Sequence, residues 1–344
     1  MKSPFVGWML SIILLTPFAA TNGLPSNSSI IVDTAPNSVR PYVLPKYKGD
    51  AIKLTSSQTI RFSITANSSD GAFSLLQHNG KASGCHEARV STPGDYGNIP
   101  PGSIHTFQLV DPDSQLTHVF HPGGFEKLFK VFSQGDHDTH GISAPYVPIP
   151  DDPSPFGPMT PREYNLLVSR DFMNGTAGEG KQSWHDGPNT PPDDSMTPYF
   201  VAKDYGPKYL NTDIGYKVIQ PLATPTQTEG NFTMGTIIMS SKLTNESVST
   251  ATLPHHFALQ MEEGQLAFQV QGYELVHLLH GDVAFVPAGV SFSYYATVPY
   301  TKFMYMNAGI YLAVITVTGH GLQACVLLLC VSVNIIAPDV NWSN

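Results

Sequence analysis

The feature that most constrains the fold of this chain is an internal repeat of a short turn motif. Gly94–His105 and Gly281–Phe292 share one spacing: a glycine, five residues, Pro-x-Gly, two residues and a final side chain. Glycine supplies a positive φ angle and proline presets the bend, so each copy predicts a strand, a tight turn and a second strand. The repeat therefore predicts two related β units.

Composition and local pattern favour an all-β fold. Glycine and proline number 29 each, whereas charged residues make up only 13% of the chain, which is typical of short strands joined by tight turns. Strand-like stretches stand on both sides of a proline-rich middle, at Thr59–Thr65, Phe73–Leu76, Thr106–Val110, Tyr216–Ile219, Thr233–Met239, Gln265–Val270, Val283–Val286 and Ser291–Tyr295.

The same pattern predicts the domain organisation. We expect a first β domain over residues 24–146 and a second over 206–307. The segment 147–205 is rich in proline and has no sustained apolar periodicity, so it predicts an extended linker, which either wraps the domains or hangs free of them. An apolar tail occupies 308–344.

The beginning of the sequence predicts secretion. Met1 and Lys2 are followed by an apolar run to Leu15 and by small residues from Ala19 to Gly23, the pattern of a signal peptide over 1–23. This run is shorter than the roughly 20 residues that span a bilayer. Asn-x-Ser/Thr sequons agree with an extracellular glycoprotein, and they lie at Asn27, Asn67, Asn174, Asn231, Asn245 and Asn341.

Charge and cysteine content exclude several classes. The net charge is −9 and lysine and arginine are thinly scattered, which disfavours nucleic acid and anionic membrane surfaces as partners. The three cysteines, Cys85, Cys325 and Cys330, give neither a disulfide framework nor a zinc-ligand spacing. Stability must therefore come from apolar cores.

The repeated motif resembles the second conserved motif of the cupin superfamily. Longer stretches resemble the secreted fungal quercetinases, namely Val39–Leu44, Gly94–Gln108, His121–Glu126, Gly206–Asn211 and Gly281–Tyr295. The resemblance implies two cupin (jelly-roll) β-barrels in tandem, joined by the proline-rich linker. It also implies a copper ion held by three histidines and a glutamate in the first barrel, with a metal-free second barrel. In that family dioxygen opens the ring of a metal-bound flavonol, and carbon monoxide is released.

Site residues follow from the resemblance. His105 occupies the metal-ligand position of the first copy, for copper or another divalent metal, and its alternative role is a hydrogen-bonded core histidine. Phe107 lies two residues on, on the same strand face, and would wall the flavonol pocket. Tyr47, Gly124 and Phe125 match pocket positions more loosely, and the alternative role of each is a plain core or turn residue. Phe292 replaces the ligand in the second copy.

The first barrel departs from the family because its first motif, His-x-His followed by glutamate, is missing. Between Phe73 and Gly94 the chain offers only His78, His86 and Glu87, and adjacent strand residues face opposite sides. Three of four expected ligands are absent, so the barrel is interpreted as truncated and the chain as inactive. Exposed strand edges should make it poorly stable. Two hypotheses remain: a dioxygenase whose full transcript restores the motif, and a non-catalytic secreted binding or structural protein.

The tail also departs from the family. No charged residue occurs between Lys302 and Asp339, where two apolar runs are joined across Gly319–Gly321. The tail could span a membrane, add barrel strands or derive from a retained intron. The third hypothesis explains the unusual tail and the missing first motif by one cause, a misread gene in which an intron is retained and an exon is skipped.

Overall fold

A computed structural model describes residues 29–55, 58–80, 94–100, 114–137, 187–212, 216–308 and 330–335. The first seven strands are β1 Tyr42–Leu44, β2 Ala51–Thr55, β3 Gln58–Ile64, β4 Ser74–Gly80, β5 Asp95–Asn98, β6 Ser114–Phe120 and β7 Tyr199–Val201. The next six are β8 Tyr209–Asn211, β9 Lys217–Ala223, β10 Phe232–Met239, β11 Ala251–Thr252, β12 His256–Glu263 and β13 Leu266–Val270. The last five are β14 Val276–Leu278, β15 Val283–Val286, β16 Ser291–Ala296, β17 Thr301–Ala308 and β18 Cys330–Ile335.

Helices are few, and the prediction of an all-β fold is confirmed. Two short helices join the described strands, α1 Glu126–Val131 and α2 Pro225–Thr228. Most of the predicted strand stretches coincide with observed strands within a few residues. Thr106–Val110 lies outside the described residues.

The described strands form three antiparallel sheets. The first sheet has the order β2-β3-β4-β6-β18-β5-β7. The second has the order β1-β15-β12-β17-β10-β9-β8, and the third has the order β11-β16-β13-β14. The second and third sheets enclose one apolar core, whereas one face of the first sheet packs on the second sheet through a core that includes Leu75, Val119, Phe285 and Met304. The arrangement as two tandem barrels stays a prediction.

The second repeat copy adopts the predicted strand, turn and strand. β15 leads through Pro287 and Gly289 into β16, and Gly281 and Gly289 have φ angles of +87° and +77°. Phe292 is buried, and its ring centroid lies 4.9 Å from that of Phe257. In the first copy Gly94 has φ +89° and precedes β5. Residues 101–105 of that copy lie outside the described part of the chain.

Sheet membership crosses the predicted segment boundaries. β1 precedes the first sheet along the chain but pairs with β15 of the second sheet, with Tyr42 opposite Phe285. β7, from the segment predicted as a linker, pairs with β5. β18, from the tail, lies between β6 and β5 and pairs with both. Without β18, the facing edges of β6 and β5 would have unpaired backbone groups, and β18 provides partners for them. For Cys330–Ile335 the structure thus agrees with the added-strand hypothesis. Among the described residues, no helix has the length and apolar character needed to cross a membrane.

Candidate functional site

Aromatic and aliphatic side chains form an apolar patch on the side of the first sheet that faces away from the second sheet. Side chains alternate along a strand, so every second residue of β3, β4 and β6 lies on this side. Helix α1 adds one ring, and the loop before it adds another. We call this patch the aromatic face, and it comprises Ile60, Phe62, Leu76, Phe120, Phe125 and Phe129.

Phe125, one of the predicted pocket residues, contacts two other rings of this patch. Its ring centroid is 4.7 Å from that of Phe120 and 5.6 Å from that of Phe129, and the second pair meets edge to face. Such aromatic pairs stabilise a defined arrangement of rings beyond the area they bury. Phe125 is only partly buried, so part of its ring remains available for contact.

A buried glutamate fixes the loop that carries Phe125. Glu126 is 3% exposed, and its carboxylate accepts hydrogen bonds from Ser74 Oγ at 2.5 Å, Gly124 N at 2.7 Å and Ala66 N at 2.8 Å. Gly124 has a φ angle of +120°, which favours glycine. Gly124 and Phe125 thus lie together at one corner of the aromatic face. The Glu126 carboxylate fixes this corner through its three hydrogen bonds.

Two buried histidines lie on the same side of the sheet. His78 on β4 is 1% exposed and His118 on β6 is 0% exposed, with ring centroids 5.6 Å apart and planes at 25°. The His118 ring is also nearly parallel to Phe120, at 5.7 Å, and lies 6.3 Å from Phe129. His78 Nε2 is 3.1 Å from Gln58 Oε1. The pair therefore continues the aromatic face with polar rings.

Burial keeps the imidazoles of His78 and His121 uncharged at neutral pH. Loss of hydration lowers the pKa of His78 to about 4. Burial likewise lowers the pKa of His121 to about 4, against a backbone hydrogen bond that raises it, and its ring lies 5.2 Å from Phe232. Both rings can accept hydrogen bonds through a ring nitrogen while they are neutral.

We expect the stability of the protein to fall as pH drops from about 6.5 to about 4. In this window the unfolded chain binds a proton at His78 that the folded chain does not, so the free energy of unfolding decreases with falling pH. The loss is about 2 kcal/mol at pH 5 for His78 alone. Urea titrations at pH 7.5, 6 and 5 measure it. His78→Asn should reduce the slope, whereas the same change at exposed His277 should not; equal slopes in all three proteins would contradict the prediction.

The described residues do not fit a copper centre. Among them, no three histidine, cysteine, aspartate or glutamate side chains are placed to hold a metal ion. His105, Phe107, His86 and Glu87 lie outside the described part of the chain.

Tyr47 is not brought to the aromatic face. Its ring lies 4.8 Å from Lys46 Nζ and 5.2 Å from the Arg61 guanidinium carbon. Arg61 alternates with Ile60 and Phe62 on β3, so it occupies the opposite side of the sheet, where it donates to Gln77 Oε1 at 3.2 Å. Tyr47 therefore belongs to the contact with the second sheet.

The structure describes three of the six sequon asparagines. Asn67 and Asn245 are exposed and Asn231 is partly exposed. Asn27, Asn174 and Asn341 lie outside the described residues. Glycosylation at each position stays a prediction.

Sequence reasoning missed Glu126 and His118. His118 and Phe120 are two residues apart on one strand, and this period of two could have placed both on the side that contains Phe125. No sequence signal identifies the three donors of Glu126, because they come from separate loops and β4.

Comparison with known proteins identifies the family. The quercetin 2,3-dioxygenase of Aspergillus japonicus is 34% identical over 327 aligned residues, which cover 82% of this chain and 93% of the relative. No family model matches the chain.

Solved structures match smaller parts of the chain. An RmlC-like cupin from Shewanella frigidimarina matches 29% of this chain and 83% of its own, with 16% identity and a TM-score of 0.25. The ethanolamine utilization protein Q of Salmonella typhimurium matches 28% of this chain and 72% of its own, with 22% identity and a TM-score of 0.24. The extent and identity of the Aspergillus match are what decide the assignment: this chain belongs to the quercetin 2,3-dioxygenase family.

Proposed function

We propose that this chain binds a flavonol against the aromatic face of the first sheet. A flavonol is flat and aromatic, and the partly buried ring of Phe125 offers a surface for offset or edge-to-face contact with such a ring system. The buried rings of Phe120 and Phe129 hold Phe125 in place from behind. The observation that carries the proposal is the position of Phe125. Glu126 fixes the loop that carries Phe125, and this loop holds Phe125 against two further rings. The named relative of this chain is a quercetin 2,3-dioxygenase, which supports a flavonol as the ligand.

We further propose that the chain, as its sequence stands, does not oxidise the flavonol. Family resemblance implies copper as the cofactor, and copper or another divalent metal supplies the activation of flavonol and dioxygen when it is bound. The sequence between Leu76 and Arg89 lacks the His-x-His and glutamate that would join His105 as ligands. The signal-peptide pattern and the sequons support a secreted protein.

A second candidate function is the full dioxygenase. The similarity to the Aspergillus enzyme over most of both chains favours it. In this case the natural transcript encodes additional residues between Leu76 and Arg89, which restore the missing ligands. The two candidates share the flavonol-binding face and differ only in the metal.

The test uses secreted protein purified from a cDNA that has been sequenced across Leu76–Arg89. Quercetin binding is followed by its absorbance, copper by elemental analysis and turnover by dioxygen uptake. We expect binding without stoichiometric copper or uptake. Phe125→Ala should weaken quercetin binding about tenfold, because it removes one aromatic contact and the apolar area that this contact buries.

The matched control is Phe292→Ala, which truncates a buried ring of the third sheet and should leave quercetin affinity unchanged. Equal weakening by both substitutions would contradict the proposed face. Copper binding with dioxygen uptake by this sequence would instead establish the second candidate.

A further inference from the structure

We infer that Arg61 is the centre of a binding site for a small carboxylate anion, at the junction between the first and second sheets. The bound carboxylate neutralises a charge that the described part of the chain leaves without an acidic partner, and it ties the two sheets together. The inference does not depend on flavonol binding, because Arg61 lies on the opposite side of β3 from the aromatic face.

The burial of Arg61 without an acidic partner is the first argument. Arg61 is 3% exposed, and no ion pair joins it to an acidic side chain in the part of the chain that the structure describes. Burial lowers the pKa of Arg61 to about 10, against the neighbouring Tyr47 hydroxyl, which raises it, so the guanidinium stays charged at neutral pH. A buried charge without a partner is strongly unfavourable, which indicates that an anion from solution neutralises it.

The hydrogen bonding of the guanidinium is the second argument. Arg61 Nη1 donates to Gln77 Oε1 at 3.2 Å, whereas Nε–H has no acceptor among the described residues. Nε and Nη2 form one edge of the planar guanidinium, and two parallel N–H groups on such an edge match the two oxygens of a carboxylate. The unsatisfied Nε–H therefore identifies the edge at which the anion binds.

A second cation beside Arg61 is the third argument. Lys46 Nζ lies 4.8 Å from the centroid of the Tyr47 ring, and the Arg61 guanidinium carbon lies 5.2 Å from the same centroid. The carboxylate of Asp282 is already engaged by backbone donors, since Oδ1 accepts from Lys46 N and Oδ2 accepts from Leu279 N, each at 2.8 Å. The positive charges around Tyr47 thus favour a further anion.

The position of Arg61 explains how a bound anion connects the sheets. Gln77 on β4, which accepts from Arg61, donates through Nε2 to Gly281 O at 3.4 Å, in the turn before β15 of the second sheet. Lys46 follows β1, which also belongs to the second sheet. An anion between Arg61 and Lys46 contacts groups of both sheets. Because little of Arg61 is exposed, a small carboxylate such as acetate suits the site.

The experiment measures the midpoint of thermal unfolding, Tm, in sodium acetate and in sodium chloride at equal ionic strength and neutral pH. At about 100 mM salt we expect acetate to raise the Tm of the wild-type protein about 3 °C above its value in chloride, the shift for a ligand at about ten times its Kd. Arg61→Gln should remove this difference. Arg40→Gln, at a partly buried arginine outside the site, should retain it.

A direct measurement on the wild-type protein keeps the test decisive if Arg61→Gln folds poorly. In protein with isotope-labelled arginine, the nuclear magnetic resonance signal of Arg61 Nε–H should shift on titration with acetate and stay in place on titration with chloride. Arg61→Lys keeps the charge but loses the planar fork. This variant assigns the signal, and it should reduce the acetate-specific gain in Tm by at least about half.

Two results would overturn the inference. In the first, the wild-type protein has the same Tm in both salts and the Arg61 signal does not respond to acetate. In the second, Arg61→Gln keeps the full acetate-specific gain in Tm, which would mean that acetate acts elsewhere on the protein.

Discussion

Glu262→Gln is expected to lower the free energy of unfolding by about 3–5 kcal/mol, the cost of leaving one buried charge without its partner. Glu262 Oε2 lies 2.9 Å from Lys302 Nζ, and the two side chains are 4% and 5% exposed. Because little water reaches Lys302, its charge would lose the main group that stabilises it. Urea denaturation at neutral pH measures the change.

Two controls separate charge from packing. The double variant Glu262→Leu/Lys302→Met removes both charges and should stay within about 1–2 kcal/mol of wild type, because the desolvation cost disappears with the pair. Lys48 and Asp33 lie 3.2 Å apart with 36% and 72% of their side chains exposed. Asp33→Asn should therefore cost less than about 1 kcal/mol. A Glu262→Gln variant as stable as Asp33→Asn would refute the prediction.

Glu126→Ala is expected to lower the free energy of unfolding by about 3–5 kcal/mol and to weaken flavonol binding. The substitution removes the shared acceptor of Ser74 Oγ, Gly124 N and Ala66 N, although Gly124 N keeps a second acceptor in Ser74 Oγ at 3.1 Å. Each donor left without a partner costs about 1–3 kcal/mol. The loop that presents Phe125 then loses its anchor. Chemical denaturation and quercetin titration of the same samples measure the two effects.

Glu126→Gln and Glu229→Ala serve as controls. Glutamine keeps the volume and one accepting oxygen, so its effect should be intermediate. Glu229 accepts one hydrogen bond, from Ser195 Oγ at 2.8 Å, at the surface, and its removal should cost less than about 1 kcal/mol. If both alanine variants were equally stable, the anchoring role of Glu126 would be wrong.

The fold class could be predicted because the relevant signals are local. Glycine at a positive φ and proline in a tight turn act within a few residues, so the turn at Pro287–Gly289 and the strands beside it follow from the sequence. The pairing of β1 with β15 could not be predicted, because any exposed sheet edge of suitable length accepts a short apolar strand.

The site could be predicted only in part. Family resemblance gave Gly124 and Phe125 as pocket residues, and the structure places them together at one corner of the aromatic face. Their role in binding stays a prediction. The resemblance also gave Tyr47 as a pocket residue, but Tyr47 lies beside Arg61, on the other side of β3 from the aromatic face. This could not be predicted, because the sequence does not show on which side of a sheet a loop packs. His118 has no counterpart in any motif quoted above, and only strand register brings it to His78.

The long-range placement of β1 has a consequence for how the chain reaches its native state. Lys46, directly after this strand, donates its backbone N–H to Asp282 Oδ1, which is 236 residues away in sequence. Closing so large a loop has an entropic cost that must be met before pairing can stabilise it, and folding slows as such contacts accumulate. We therefore expect β1 to join its sheet late in folding. A fragment released before β15 is synthesised would leave the apolar Tyr42–Leu44 strand unpaired, which favours aggregation over folding.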